Sequence, residues 1–235
     1  MRPASDDGDR LVRVPPERLS GWLERFAARH GEPALELTPA ALRLTSPDGA
    51  AATLTLIWGP LPGVLDPRAE LIEAMLRERR VAVLLVRRSA HAVGIVRGTE
   101  IEASKVGRHY VQGRTKAGGW SQQRYARRRG HQAEHAFEAA ADDAVAVLAG
   151  RVGQLEALLL GGDAPAVKAV LADPRLAKLA ALPRHAREVF PVPDPRRAIL
   201  DEFPARYRAV PIRLNDLAQL TAPSGPQGDE GTGER

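Results

Sequence analysis

The stretch that decides the fold runs from Glu100 to Val152 and reads EIEASKVGRHYVQGRTKAGGWSQQRYARRRGHQAEHAFEAAADDAVAVLAGRV. Its beginning, residues 100–112, has the pattern of a strand. Residues 112–121 contain three glycines and no apolar run, which predicts an exposed loop. Residues 122–152 fit one long helix. The apolar residues of one narrow helix face are Ala126, Ala133, Phe137, Ala140, Ala144 and Leu148.

Shorter elements on both sides place this stretch in a mixed α/β fold. Alternating or continuous apolar runs predict strands, and a period near 3.6 predicts helices. The predicted strands are 34–37, 42–45, 52–57, 81–86, 93–97, 157–160 and 210–214, and the further predicted helices are 16–30, 68–80 and 164–172. In the first of these helices, Trp22 and Phe26 lie on the face that we expect to pack in the core. Because strands and helices are interspersed, we predict an α/β fold with a mixed sheet (α+β).

The length of the chain limits the number of domains. With 235 residues and 44% hydrophobic residues, it is one large domain or two small ones. We predict a single domain over residues 11–216, with 162–216 as a candidate smaller helical part. The small polar residues at 1–10 and the Pro, Gly, Ser and Glu residues of 217–235 predict disordered ends.

Several classes of protein are excluded by composition. The absence of cysteine excludes disulfides, Fe–S clusters and cysteine-type zinc sites. The sequence contains no run of about eighteen apolar residues, which a membrane-spanning helix needs. The first residues show no signal-peptide pattern. We therefore expect a cytoplasmic protein without membrane contact. We also expect a monomer that holds no metal or cofactor.

A basic segment is the most unusual feature of the charge distribution. Between Ser104 and Ala133 the chain has eight Lys or Arg residues and no carboxylate. They are Lys105, Arg108, Arg114, Lys116, Arg124, Arg127, Arg128 and Arg129, and the aromatic residues Tyr110, Trp120 and Tyr125 lie among them. Cations in the first turns of a helix oppose its dipole, at a cost of roughly 0.3–1 kcal/mol each. Since folding alone would disfavour them there, the segment predicts binding to nucleic acid through phosphate contacts and base stacking.

The tip of the loop resembles a known catalytic loop. Residues 113–124, GRTKAGGWSQQR, form a glycine-rich basic loop that ends in glutamine where a basic helix begins. This resembles the Gly-Gly-Gln tip of the peptide release factors of eukaryotes and archaea. It is more similar still to the Vms-like release factors, the family of the animal ankyrin-repeat and zinc-finger peptidyl-tRNA hydrolase. That family has a Gly-x-x-Gln variant, which Gly119-Trp120-Ser121-Gln122 fits, and the following QRYARRR looks like its bacterial branch.

The resemblance covers about thirty residues tightly, and residues 15–215 by the order of elements. It implies a catalytic domain of the release-factor kind, which is RNase H-like. It also implies hydrolysis of the ester between a nascent peptide and tRNA in the large ribosomal subunit. The partners are then large-subunit rRNA and peptidyl-tRNA. Because the chain shows no ankyrin repeats, zinc finger or codon-reading domain, we expect rescue of stalled or split large subunits, as in ribosome quality control.

Specific roles follow from this resemblance. Gln122 becomes the catalytic residue, with Gln123 as the alternative if the register slips by one position. Glutamine does not titrate, so its role would be to orient a water molecule. The loop-shaping residues would be Gly113, Gly118, Gly119, Trp120 and Ser121. The RNA contacts would come from Lys105, Arg108, Arg114, Lys116, Arg124, Arg127, Arg128 and Arg129.

Three alternatives remain open. The first is a ribosome-binding module without catalysis, which would share the basic segment. The second is a zinc metalloprotease, because His131-Gln-Ala-Glu-His135 matches H-x-x-E-H, with Glu134 as base and Glu188 or Glu202 as a third ligand. The third is a nuclease of RNase H-like fold, whose Mg²⁺ would need clustered carboxylates. Its candidates are Asp66, Glu70, Asp142 and Asp143.

Overall fold

The computed structural model describes residues 9–64, 66–109, 120–186 and 189–219; the side chains of residues 120–133 lie outside this description. In this part of the chain nine strands and seven α-helices form. The strands are β1 (Arg10–Val14), β2 (Ala34–Leu37), β3 (Ala41–Thr45), β4 (Ala51–Thr55), β5 (Arg80–Arg87), β6 (Ala90–Arg97), β7 (Glu100–Arg108), β8 (Ala157–Gly162) and β9 (Val210–Leu214). The helices are α1 (Leu19–His30), α2 (Pro67–Leu76), α3 (Trp120–Leu148), α4 (Ala164–Leu171), α5 (Ala177–Ala180), α6 (Arg197–Arg208) and α7 (Asp216–Gln219).

The predicted mixed α/β class is confirmed, and each predicted strand and helix is present: β2 and β9 have the predicted ends, and the other elements have shifted ends. The long helix begins at Trp120, two residues before the predicted start, and ends at Leu148, four residues before the predicted end. A 3-10 helix, Ala149–Gln154, follows it, in a segment that contains Gly150 and Gly153. Since glycine is a poor helix former, the α-helix has a local reason to end there.

Contacts within the chain divide it into two compact units. Unit 1 contains the described parts of Met1–Leu56, Pro60–Ile72 and Val210–Arg235, and unit 2 contains those of Ile57–Gly59 and Glu73–Ala209. Strand β1 starts at Arg10, one residue before the predicted start of the domain at 11, and α7 ends at Gln219, three residues beyond the predicted end at 216. The single domain over 11–216 stays a prediction, as do the disordered ends, most of which lie outside the described residues.

Unit 2 is built on a four-stranded sheet with the order β7-β6-β5-β8. β5 pairs antiparallel with β6 and parallel with β8, while β6 pairs antiparallel with β7. The two central strands are almost entirely buried, because helices cover both of their faces. Such strands have continuous apolar runs, as VAVLLV in β5 does.

One face of this sheet is covered by α3, α4 and α5. Ala140, Ala144 and Leu148 of α3 are fully buried there against side chains of β5 and β6, and Phe137 packs at the edge of the same cluster. The predicted apolar face of the long helix is therefore confirmed for its second half. Ala126 and Ala133, the other predicted members, lie outside the residues whose side chains are described.

The other face of the sheet is covered by α6, which the sequence analysis did not predict. Leu200, Phe203 and Tyr207 pack there with Val83 and Leu85 of β5. Pro204 inside this helix masked the helical pattern, since proline normally ends a helix.

Unit 1 contains a five-stranded antiparallel sheet with the order β1-β9-β4-β3-β2. Alternate residues of its strands are buried, as in β3, where Leu42 and Leu44 are buried and Arg43 is exposed. Helix α1 buries Leu19, Leu23 and Phe26 from its apolar face. This alternation is typical of a sheet with one covered face and one solvated face.

None of the helices in the described residues combines the length and the apolar composition that crossing a bilayer requires.

Candidate functional site

The predicted loop connects the end of β7 to the start of α3. Residues 110–119 lie outside the described part of the chain, and with them Gly113, Arg114, Lys116, Gly118 and Gly119. Because α3 begins at Trp120, the backbone of Trp120, Ser121 and Gln122 belongs to the first turn of this helix. The predicted loop over 112–121 is therefore wrong at its last two residues, which belong to the helix. Gln123, Arg124, Arg127, Arg128 and Arg129 also lie on α3, and their side chains are outside the description.

A buried polar cluster holds the two stems of this loop together. His91 of β6 is 1% exposed, and its Nε2 lies 3.0 Å from Oδ2 of Asp143 on α3. Its Nδ1 lies 3.0 Å from Nε2 of His109, the residue that follows β7. Lys105 of β7 donates from Nζ to the other oxygen of Asp143 at 2.8 Å. We call these four residues the stem cluster.

The backbone also fixes His109 close to the loop. Its N–H donates to the carbonyl oxygen of Ser89 at 2.8 Å, in the turn between β5 and β6. Its ring stacks on that of His91, with the centroids 5.1 Å apart and 21° between the planes. Both the backbone and the side chain of His109, the last described residue before 110–119, are thus fixed to β6 and to the turn before it.

Only a glycine fits opposite His91 on β7. Gly107 is the cross-strand partner of His91, and a Cβ at position 107 would lie 2.2 Å from Cε1 of the imidazole. The missing side chain at position 107 therefore leaves the space that the imidazole of His91 occupies.

The hydrogen bonds assign the protons of the two rings. Asp143 accepts, so Nε2 of His91 carries a hydrogen and donates to it. In neutral His91 the Nδ1 atom is then an acceptor, and Nε2 of His109 donates to it. When His91 is neutral, the donors therefore run from His109 through His91 to the carboxylate.

The pKa values of the cluster follow from these contacts. Burial lowers the pKa of His109, the nearby His91 lowers it further, and Asp143 partly opposes the shift. For Asp143, burial raises the pKa, but the hydrogen bonds from Lys105 and His91 outweigh it, so the net pKa lies below the usual value. The cluster thus favours an ionised Asp143 and a neutral His109 near pH 7.

Two of the predicted RNA-binding residues have described side chains. Lys105 is half-exposed and is the ion-pair partner of Asp143, so part of its charge is already neutralised. Arg108 is exposed at the end of β7, next to the loop. Both belong to β7, the strand that leads to residues 110–119.

The residues of the two rival enzyme sites can be located in part. His135 is exposed on α3 and contacts Glu138 at 3.2 Å, and His131 and Glu188 lie outside the description. Asp142 pairs with Arg175 at 2.7 Å, while Asp143 belongs to the stem cluster. Among the described residues, no group of three His, Asp or Glu side chains is arranged to hold a metal ion.

The sequence analysis missed His91 and His109. A signal was present, because His91 interrupts the apolar run AHAVGIV of a strand that is buried on both faces. A buried polar side chain needs a hydrogen-bond partner. The partner, Asp143, is 52 positions away on a helix whose orientation the sequence does not give.

Comparison with known proteins gives a family match over the part of the chain that contains this site. The family described as Actinobacteria/chloroflexi VLRF1 release factor matches residues 79–213, which is more than half of the chain. Similar chains among the solved structures include the crystal structure of the archaeal translation termination factor aRF1. It is 14% identical with a TM-score of 0.36, and the match covers 78% of this chain and 60% of that chain. No curated protein matches this chain.

Proposed function

Since this chain belongs to the Actinobacteria/chloroflexi VLRF1 release factor family, we propose that it hydrolyses peptidyl-tRNA on the large ribosomal subunit. The family match supports the release-factor resemblance at this coarser level, and with it a role in translation termination or ribosome rescue. The observation that carries the finer proposal is Gly119-Trp120-Ser121-Gln122 at the start of α3, within the matched residues. A closer relationship to the Vms-like branch and an RNase H-like fold are parts of the same proposal.

The proposed reaction is hydrolysis of an ester. Water adds to the carbonyl carbon of the last amino acid, the bond from that carbon to the ribose oxygen of tRNA breaks, and a proton ends on this oxygen. The amide of Gln122 neither gains nor loses a proton near neutral pH, but it donates and accepts hydrogen bonds. Its role would be to orient the water toward the carbonyl, which contributes several kcal/mol when the reacting atoms are well placed. Gln123 is the alternative in the same role.

The stem cluster supports this proposal through rigidity. A loop that must place one amide accurately needs stems that do not move relative to each other. Asp143 connects α3 to His91 on β6 and to Lys105 on β7, so three elements meet at one carboxylate. We propose that the stem cluster positions the loop, while its residues take no direct part in the reaction.

The basic residues would supply the affinity for RNA. Arg124, Arg127, Arg128 and Arg129 follow the proposed catalytic glutamine within about two helical turns, and the loop itself contributes Arg114 and Lys116. Glycines at 113, 118 and 119 would let the backbone enter a narrow RNA cavity. The proposed partners are large-subunit rRNA and peptidyl-tRNA, and the proposed form is a cytoplasmic monomer that acts in rescue of stalled or split subunits.

A release assay tests this function. Purified protein is added to large ribosomal subunits that carry labelled peptidyl-tRNA, and free peptide is measured over time. We expect release to require both the subunit and the protein. If the protein binds the subunit and releases no peptide, the function is that of a ribosome-binding module without catalysis.

A further inference from the structure

A cavity on unit 1 has the composition of a site for an RNA nucleotide. It measures about 230 Å³ and lies beside α1, β9 and α7. Trp22, Phe26, Arg25 and Arg29 of α1 line it, together with Leu214 at the end of β9. None of these residues lies within the segment that matches the release factor family.

The aromatic part of the lining consists of Trp22 and Phe26. Their rings stack with the centroids 5.4 Å apart and only 18° between the planes. Phe26 is buried, whereas Trp22 is only partly buried and borders the cavity. The sequence analysis placed both rings in the core, and the structure corrects this for Trp22. A rigid aromatic face at a cavity offers a stacking surface to a flat ligand.

The charged part of the lining is entirely basic. Arg25 and Arg29 are exposed and lie one helical turn apart, on the same strip of α1 as Trp22. Across the described residues, no ion pair connects either arginine to a carboxylate, whereas Arg68, Arg80 and Arg175 all have such partners. His30 also lines the cavity, and its Nδ1 lies 2.7 Å from a carboxylate oxygen of Asp48. The other oxygen of this carboxylate accepts a hydrogen bond from the backbone N–H of Ala50. Among the described residues, the lining contains no acidic side chain.

We propose that this cavity binds one unstacked base of a single-stranded RNA, with Arg25 and Arg29 contacting the neighbouring phosphates. Stacking on an aromatic side chain is available to every base, and guanidinium groups bind phosphate oxygens in a bidentate manner. An acidic peptide would satisfy the arginines and leave the Trp22 face without a partner. Because the arginines are spaced along the helix axis, they fit successive phosphates of a strand better than the adjacent phosphates of one free nucleotide.

This site is independent of the proposed hydrolysis. Its lining residues, as far as the structure describes them, all belong to unit 1. It gives the protein a second RNA contact, in the part of the chain that the family match does not cover.

The test uses the fluorescence of Trp22 in the full chain. Trp58 and Trp120 are replaced by phenylalanine, so that Trp22 is the remaining tryptophan, and a single-stranded RNA of about ten nucleotides is titrated in. We expect saturable quenching, with a Kd that rises about tenfold or more when Arg25 and Arg29 are both changed to glutamine. The matched control changes Arg13 and Arg43 to glutamine, two exposed arginines on strands of unit 1 that do not line the cavity, and should leave the Kd unchanged.

Several outcomes would overturn the proposal. One is no quenching by RNA, and another is a Kd that the Arg25 and Arg29 variant does not alter. Equal quenching by adenosine monophosphate at the same concentration would identify a free nucleotide as the ligand instead. Quenching by a polyglutamate peptide would identify an acidic protein. Because the readout is Trp22, each of these results leaves the peptide-release assay unaffected.

Discussion

Gly107 and His91 face each other across β7 and β6 so closely that no other residue fits at position 107. A Cβ there would lie 2.2 Å from Cε1 and 2.7 Å from Nε2 of the imidazole. The Nε2 atom is the one that donates to Asp143 on α3. One backbone contact therefore sets the position of the ring that connects the sheet to the long helix.

Gly107→Ala should displace His91 and weaken its bond to Asp143. The added methyl group overpacks a buried site, which typically costs about 1–3 kcal/mol. Urea unfolding measures the effect. Gly150→Ala is the matched control, because no atom lies within 4 Å of a Cβ added there. Its stability should stay level or rise slightly. Equal stability of the two variants would contradict the packing described for Gly107.

Asp143→Ala should destabilise the protein, because it leaves the buried Nε2–H of His91 without its acceptor. Loss of one partner of a buried polar group costs about 1–3 kcal/mol. Asp142→Ala is the neighbouring control, with the same chemical change on the same helix. Asp142 pairs with the exposed Arg175 at the surface, so this variant should unfold at nearly the wild-type urea concentration. An Asp143 variant as stable as the Asp142 variant would exclude an anchoring role for the carboxylate.

The protein should lose stability as the pH falls below about 6.5, the usual pKa of histidine. Burial and His91 lower the pKa of His109, so the folded protein binds this proton less readily than the unfolded chain. The stability that neutral His109 contributes is fully present above the pKa of histidine in the unfolded chain. It is lost as the pH falls through the lowered pKa of His109 in the folded protein. His109→Gln should flatten the pH dependence of the unfolding midpoint in this window, whereas His135→Gln, at an exposed histidine, should not. If the unfolding midpoint of His109→Gln depended more steeply on pH than that of the wild type, the pKa of His109 would not be lowered in the folded protein.

Asp143 should contribute in a separate and lower range of pH. Its net pKa is lowered, although burial raises it, because the hydrogen bonds from Lys105 and His91 outweigh burial. Its stabilisation is therefore present above the usual carboxyl pKa and disappears as the pH falls through the lowered value. Acid unfolding followed by circular dichroism should show a smaller stability change below about pH 4 in Asp143→Ala than in wild type.

Replacement of Arg127, Arg128 and Arg129 by glutamine should weaken binding to large ribosomal subunits and reduce its dependence on salt. Each lost phosphate contact lowers the slope of log K against log salt by about 0.7–0.9. The control replaces Arg10, Arg13 and Arg43, which are exposed in unit 1, and so changes the net charge equally. Sedimentation with subunits at several salt concentrations measures both slopes. If the two triple variants have the same slope, net charge rather than the basic segment determines binding.

The strands and helices that could be predicted are those with a clear spacing of apolar residues along their own sequence. The apolar runs of β5 and β8 and the face of α3 that carries Ala140, Ala144 and Leu148 are read directly from spacing. Strand β1 was missed, because RLVRV is short and only its pairing with β9 makes it a strand. Helix α6 was missed because Pro204 breaks the pattern that its buried face otherwise follows.

The candidate site was predictable only where a motif marked it. The glycines and glutamines of 113–123 form such a motif, and the basic residues around them can be counted. The stem cluster could not be found in this way, because it joins His91, Lys105, His109 and Asp143 from three elements. Their meeting depends on the register of β6 and β7 and on the rotation of α3, and neither is encoded by local spacing.

The most direct test of the proposed hydrolysis compares wild type, Gln122→Ala and Gln123→Ala for release of labelled peptide from peptidyl-tRNA on purified large subunits. Binding to the subunits is measured in parallel and should be nearly equal for the three proteins. We expect release by wild type and by the Gln123 variant, and its loss in the Gln122 variant. Unchanged release by Gln122→Ala would contradict the assigned catalytic residue, and loss confined to Gln123→Ala would transfer that role to the neighbouring glutamine.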